Sequence, residues 1–381
     1  MKRKGLLLFL GFITLALILF PESNIQSGKA ALTLCFTSVI PSLFPFFVLC
    51  RILIDLGAAE LLGKYTGGFM KKLFHISPAG VTSLLMGLIS GYPLGAKVCC
   101  ELYQNKSITK TDAERLLAFC NNAGPVFITG TVGTAMLGSF KWGLLLMAVH
   151  IISALCTGFL FRFYKKSENA PMSNFAVRTV SAKSLPNSIA SAFSDSISSI
   201  LSVCGYVVFF AVFINILKVT NILQTAAYFV SSLFPPVSTE FAREFLSGLL
   251  EMTNGIANLA ALPNINPASK LIAASMLLGF GGLCVHFQTM GIVSRYGLSS
   301  KTYFLGKMMN GTISAVIMFA LLVPAAHEAF YFFDPSAFTT TRSLIAFVLI
   351  FFFYNLIVIG FLGILYFIEC YKERKEKKSQ K

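Results

Sequence analysis

Charge is scarce in this chain of 381 residues: Asp, Glu, Lys and Arg together make up 12%, and the 16 acidic residues are about half as many as the 31 basic ones. An average soluble domain carries about twice that share, so a water-exposed globule is excluded. Histidine is rarer still, with only His75, His150, His286 and His327, and the nine cysteines show no metal-ligand spacing. Zinc chemistry has no donor set, and the thiols read as small hydrophobes in or beside apolar segments. Carboxylates are equally dispersed: Asp55, Asp112, Asp195 and Asp334 stand alone at segment ends. Membrane-embedded catalysis would need a carboxylate pair, an activated nucleophile or a metal cluster. None is visible, which argues against an enzyme and for a protein without a cofactor.

Apolar residues fill the chain instead. They make up 55% of it, 38 of them phenylalanine, and mean hydropathy is +0.74. The fold class this implies is an all-α polytopic membrane protein. Its net charge of +15 lies in short clusters at 2–4, 64–72, 162–183 and 372–381, between apolar runs. That distribution marks cytoplasmic helix ends and not a nucleic-acid surface.

Apolar runs of the length needed to span, about 17 to 25 residues, fall near 5–20, 32–56, 113–138, 141–163, 197–218, 270–293, 303–325 and 342–368. Eight crossings put both termini on the cytoplasmic side. The first, "MKRKGLLLFLGFITLALILF", has the head and body of a signal peptide, but the residues after it offer no small-x-small cleavage site, so it is expected to remain. Segments 58–74 and 222–234 suit interfacial amphipathic helices, and the tail suits contact with anionic lipid.

Two further apolar stretches, "VTSLLMGLISGYPLGAKVCCEL" and "FLSGLLEMTNGIANLAAL", are interrupted at their centres. Each half is about 10 residues, too short to cross, which predicts re-entrant hairpins whose tips face protein or water. Setting each residue against the one 161 positions on pairs Gly87 with Gly248, Ala96 with Ala257, Phe119 with Phe280, Gly130 with Gly291 and Ser153 with Ser314. The two hairpins coincide, and so do the glycine-broken crossings after them. Those crossings are the third and sixth, so the repeats are expected to be inverted, with a substrate site at the midplane where broken helices meet. The division expected is an N-terminal helix (1–31), a first repeat (32–164), a cytoplasmic linker (165–196), a second repeat (197–325), a C-terminal helix (326–369) and a tail (370–381).

The first broken crossing carries Asn121, Asn122, Gly124 and Pro125, and its partner carries Gly281, Gly282, His286, Gln288 and Thr289. Helix breakers and amides at that depth predict a polar cavity. Half-helix N-termini and Lys97, just after the first tip, favour an anionic cargo. Opened carbonyls beside Asn121, Asn122 and Asn254 suit sodium as a coupling ion, whereas Glu251 suits a proton; the sequence leaves both open.

"LFPFFV" (43–48), "SGYPLGAK" (90–97) and "RLLAFCNNAGPVFI" (115–128) resemble the sporulation integral membrane protein family YlbJ over nearly the whole chain. More distantly, "HFQTMGI" (286–292) is similar to the Asn-Phe-Ser-Ser-x-Gly-Ile segment of concentrative nucleoside transporters, within the Gate, or nucleoside-recognition, superfamily. The resemblance implies two inverted repeats, each with a re-entrant hairpin and a broken helix. It also implies a substrate contact at His286, at Gln288 and Thr289, and at the tips Gly91, Tyr92, Pro93 and Glu251, Met252, Thr253, Asn254. The first hairpin lacks the transporters' Thr-Glu pair and the second their Asn-Glu-Phe-Val-Ala-Tyr string. The family context implies work in endospore formation, in the mother-cell membrane around the forespore, with dipicolinate as an anionic cargo. Alternatives are a non-transporting scaffold for sporulation or spore cortex assembly, and a nucleoside transporter. Lipid, a small solute, a second copy and sporulation membrane proteins are the partners implied.

Overall fold

The computed structural model describes residues 2–56, 65, 66, 68–165, 185–234 and 237–322. The crossing expected at 342–368, the basic tail, His327 and most of the linker lie outside the described residues. Every regular element among the described residues is helical. Among the described residues five helical stretches are long and apolar enough to cross a membrane: Pro21–Leu53, Phe140–Phe161, Leu185–Val219, Pro267–Tyr296 and Ser300–Leu322. The chain is an integral membrane protein.

Its N-terminal part consists of α1 (Lys2–Leu19) and a long rod in which α2 (Pro21–Leu34) runs through a π turn (Cys35–Val39) into α3 (Ile40–Asp55). The expected first crossing is α1, one helix of 18 residues that carries the apolar run Leu7–Leu19. Basic residues precede that run and Pro21 opens a new helix directly after it. The polar string before residue 32 is helical as well: proline is at home in a first turn, and the polar side chains have partners. Asn215 donates to Ser23 Oγ and Asn24 Oδ1, each at 2.9 Å, and Ser27 donates to the Ala211 carbonyl at 3.1 Å. Interhelical hydrogen bonds of this kind hold helices together where lipid supplies no hydrophobic drive.

The first repeat continues with α4 (Val81–Ser90), α5 (Leu94–Gln104), α6 (Lys110–Leu117), a π-helical segment (Phe127–Met136) and α7 (Phe140–Phe161). The second runs through α8 (Leu185–Val219), α9 (Ile222–Leu233), α10 (Thr239–Leu250), α11 (Met252–Ala261), α12 (Pro267–Phe280), α13 (Gly282–Val293) and α14 (Ser300–Leu322). Shifted by 161, α4 falls on α10, α5 on α11, α6 on α12, the π segment on α13 and α7 on α14. α8 starts at Leu185, so the expected linker ends before 196 and the span expected from 197 begins a full three turns earlier. The span expected at 113–138 is not one helix, because α6 stops at Leu117 and regular structure resumes past Gly124.

Caps fix the element ends. Thr109, Ser139, Ser238 and Asn266 each accept a backbone N–H from the first turn of α6, α7, α10 and α12. α7, α12 and α14 meet at small residues and hydroxyls: Ser153 donates to Asn310 Oδ1 at 2.6 Å, and Ser275 and Ser314 lie 2.6 Å apart.

Arg115, buried in α6, ties three segments together. Its guanidinium donates to the Tyr164 carbonyl at 2.7 and 2.9 Å and to the His75 carbonyl at 2.8 Å. Arg115→Met keeps the length of the side chain but leaves buried carbonyls without donors. It is expected to cost roughly 3 kcal/mol, read as a lower midpoint of thermal unfolding in detergent.

Candidate functional site

A helix broken inside a membrane protein leaves backbone groups that must find partners within the protein. In the first break the Asn121 carbonyl would ordinarily accept from the residue four places on, but that residue is Pro125, which has no N–H. Lys307 of α14 takes the place of the missing donor, with Nζ 3.0 Å from the Asn121 oxygen. Asn122 folds its amide back to donate to the Phe119 carbonyl at 2.8 Å, and the Ala123 N–H donates to His150 Nε2 at 3.1 Å.

In the second break Gly281 and Gly282 take φ values of +91° and +70°, a left-handed backbone that side chains resist. This frees the Leu278 carbonyl, and Tyr92, from the tip of the first hairpin, donates its hydroxyl there at 2.7 Å. Each break therefore has a freed carbonyl satisfied by a side chain of the other repeat. Asn121 Nδ2 joins the two broken segments directly, donating to Thr289 Oγ1 at 2.9 Å.

Two helical hairpins brace the breaks. α4 and α5 meet at Gly91, Tyr92 and Pro93, where the Tyr92–Pro93 peptide is cis. Gly87 and Gly95 face each other across this hairpin and close on the Cys120 carbonyl, with no room for a Cβ on either. α10 and α11 meet at Glu251. Its carboxylate caps α11, accepting from the Thr253 N–H at 2.9 Å and the Asn254 N–H at 2.7 Å.

Both tips, the first break through Ala123 and Gly124, and the start of α13 just after the second break line one cavity. Its polar lining comes from Ser90, Tyr92, Glu251, Thr253 and Gln288, and its apolar lining includes Phe127, Val203 and Val207. Gln288 Nε2 is a buried donor with no partner, and Glu251 is 2% exposed. The site thus offers one amide donor, one carboxylate, two hydroxyls and a phenol inside an apolar box. Among the described residues no group of three or more His, Cys, Asp or Glu side chains could hold a metal ion.

Of the residues expected at the site, Gly91, Tyr92, Glu251, Thr253 and Gln288 line this cavity. Asn121, Asn122 and Thr289 lie behind it as fully buried supports of the breaks. Pro93 and Asn254 shape the tips without lining it, and Asn254 Nδ2 is buried without a partner. His286 turns away from it into an aromatic cage, with its ring centroid 4.5 Å from Phe280, 5.0 Å from Phe304 and 5.4 Å from Tyr303. Lys97 is half-buried on α5 and outside the lining. Sequence reasoning missed Lys307, although a lone lysine inside an apolar span was signal enough. It also missed Ser90, the repeat partner of Glu251.

Residues 36–140 match the family model described as Gate, nucleoside recognition. Over 335 residues the chain is 29% identical to the sporulation integral membrane protein YlbJ of Bacillus subtilis (strain 168), covering 83% of this chain and 82% of that protein. A variant of the concentrative nucleoside transporter CNTnw, solved in its intermediate 1 state, superposes with a TM-score of 0.48 at 18% identity, covering 73% of this chain and 74% of that one. The chain is thus an integral membrane protein that carries a match to the Gate, nucleoside-recognition, family over residues 36–140 and is similar to YlbJ over most of its length.

Proposed function

We propose that this protein is a secondary transporter of a small, polar, uncharged organic solute, and that the cavity between the two hairpin tips and the two helix breaks is its substrate site. The observation that carries the reading is the convergence of both hairpin tips, the first break and the helix that follows the second on one cavity holding Glu251, Gln288, Thr253, Ser90 and Tyr92. Helices of 10 to 12 residues, as in α4, α5, α10 and α11, rise roughly 15–18 Å, about half of a bilayer core. On this reading the hairpins are re-entrant, the repeats are inverted, and alternating access moves one repeat against the other around the site.

Cargo class follows from the lining. Gln288 presents a free amide donor to an acceptor on the solute, and Glu251 and the hydroxyls accept from its N–H or O–H groups. An anion such as dipicolinate was expected from Lys97, which stands outside the lining, whereas a carboxylate stands inside it. An uncharged solute is therefore the better-supported class, and nucleosides fall within it, in keeping with the description of the matching family. The similarity to YlbJ supports a role in sporulation.

Reconstituted proteoliposomes test this with labelled uridine, adenosine, ribose and dipicolinate. Saturable uptake of an uncharged solute is expected, unaffected by excess dipicolinate. Uptake of dipicolinate above every uncharged solute would overturn the cargo class. Folded protein that moves none of them would favour the scaffold reading.

A further inference from the structure

At the first break a buried lysine stands on a carbonyl oxygen that the helix cannot satisfy. A bare carbonyl oxygen deep in a membrane protein is a ligand for a hard cation, and broken helices are where transporters hold coupling ions. At Asn121 the oxygen is orphaned by the covalent structure of Pro125, and Lys307 Nζ stands beside it, 3.0 Å away and fully buried. A second oxygen, Asn122 Oδ1, is buried at the same break without a donor.

Lysine at this position is not a packing choice. The residue 161 positions earlier, on α7, is Leu146, also fully buried, so the repeat scaffold asks for an apolar side chain here. An ammonium in its place costs several kcal/mol of desolvation unless its hydrogen bonds are met. Lys307 offsets part of that cost with one hydrogen bond, to the Asn121 carbonyl, and with the face of Tyr92, whose ring centroid is 5.2 Å from Nζ. The second break contrasts with the first, because there the freed Leu278 carbonyl receives a neutral phenol from Tyr92.

We infer that Lys307 is the resident cation of the first break, standing where a bound alkali-metal ion would otherwise coordinate the Asn121 carbonyl, so that no sodium ion binds there. Its consequence for transport, uptake without sodium coupling at this site, rests on the transporter reading. Binding itself does not, and the test reads binding with no flux involved.

Thermal unfolding of the purified full-length protein is followed in NaCl, LiCl, KCl and choline chloride at equal ionic strength. A ligand that binds only the folded form raises the midpoint as its concentration passes the dissociation constant. Wild-type protein is expected to unfold at one temperature in all four salts, and Lys307→Arg likewise. Lys307→Ala exposes the carbonyl and makes room for an ion, and is expected to gain a saturable rise with Na⁺ or Li⁺ of about 2–5 °C. A saturable, sodium-specific rise in the wild type, or a folded Lys307→Ala with no dependence on the cation, overturns the inference. If Lys307→Ala fails to fold, the wild-type series alone decides, a flat series supporting the inference and a sodium-specific one overturning it. Proteoliposomes that move no solute would strike the transporter reading and leave this assignment standing.

Discussion

Gly87→Val and Gly95→Val are each expected to abolish the folded protein, leaving material that aggregates on size exclusion in detergent and shows no cooperative unfolding. A Cβ at either position would overlap the Cys120 carbonyl oxygen, and the two glycines also press on each other across the hairpin. Neither obstacle is the tip of a flexible side chain. Cys120 is fixed from both sides, its own N–H bonded to the Leu116 carbonyl at 2.8 Å and the next carbonyl, that of Asn121, bonded to Lys307. Relief therefore requires the hairpin to separate from the break, which would uncover Ser83, Ala96, Cys99 and Cys100 as well, all of them fully buried. The cost lies beyond about 4–5 kcal/mol, the range reached only when a named structural element is lost. Gly130 and Gly205 have open space where a Cβ would stand, so Gly130→Ala and Gly205→Ala are the matched controls. Both are expected to keep the wild-type midpoint. A Gly87→Val protein that unfolds within about 2 °C of wild type would mean that the hairpin does not seat on the break.

The positions of the hairpins and breaks were legible because backbone interruption has a small vocabulary. Gly-Tyr-Pro, Asn-Asn-Ala-Gly-Pro and Gly-Phe-Gly-Gly have few uses inside an apolar run, and the internal repeat placed each beside its counterpart. The lining was less legible, because helix rotation is not written in composition. On α13, Cys284, Val285 and Gln288 face the cavity while His286, one residue from Val285, turns about 100° away into its aromatic cage. Lys97 misled for a similar reason, since nearness in sequence to the Gly91 tip did not place it on the inner face of α5. The polar string at 21–31 has its partners far along the chain, where Asn215 supplies the other half of its hydrogen bonds. Lys307 was readable as an anomaly, a charge where Leu146 sets the pattern, but its purpose depends on Pro125 in the opposite repeat.

Glu251 separates transport from architecture. Its carboxylate caps α11 through two N–H groups and also lines the cavity, so Glu251→Ala is expected to lose both stability and uptake. The capping share is about 1 kcal/mol, and asparagine or serine, which cap nearly as well as an acid, can restore it. The share that faces the solute is different in kind: a hydrogen bond to a charged acceptor contributes about 1.5–3 kcal/mol, which corresponds to roughly 10- to 150-fold in binding. Glu251→Asn and Glu251→Ser are therefore expected to unfold within a few degrees of wild type yet to lose at least tenfold in the rate of uptake at low solute concentration. Glu251→Asp is a weaker case, since the shorter acid keeps the charge while withdrawing it from the cavity, and an intermediate rate is expected. Recovery of uptake in parallel with stability in Glu251→Asn would reduce the residue to a helix cap and leave Gln288, with its unpaired amide, as the group that orients the solute.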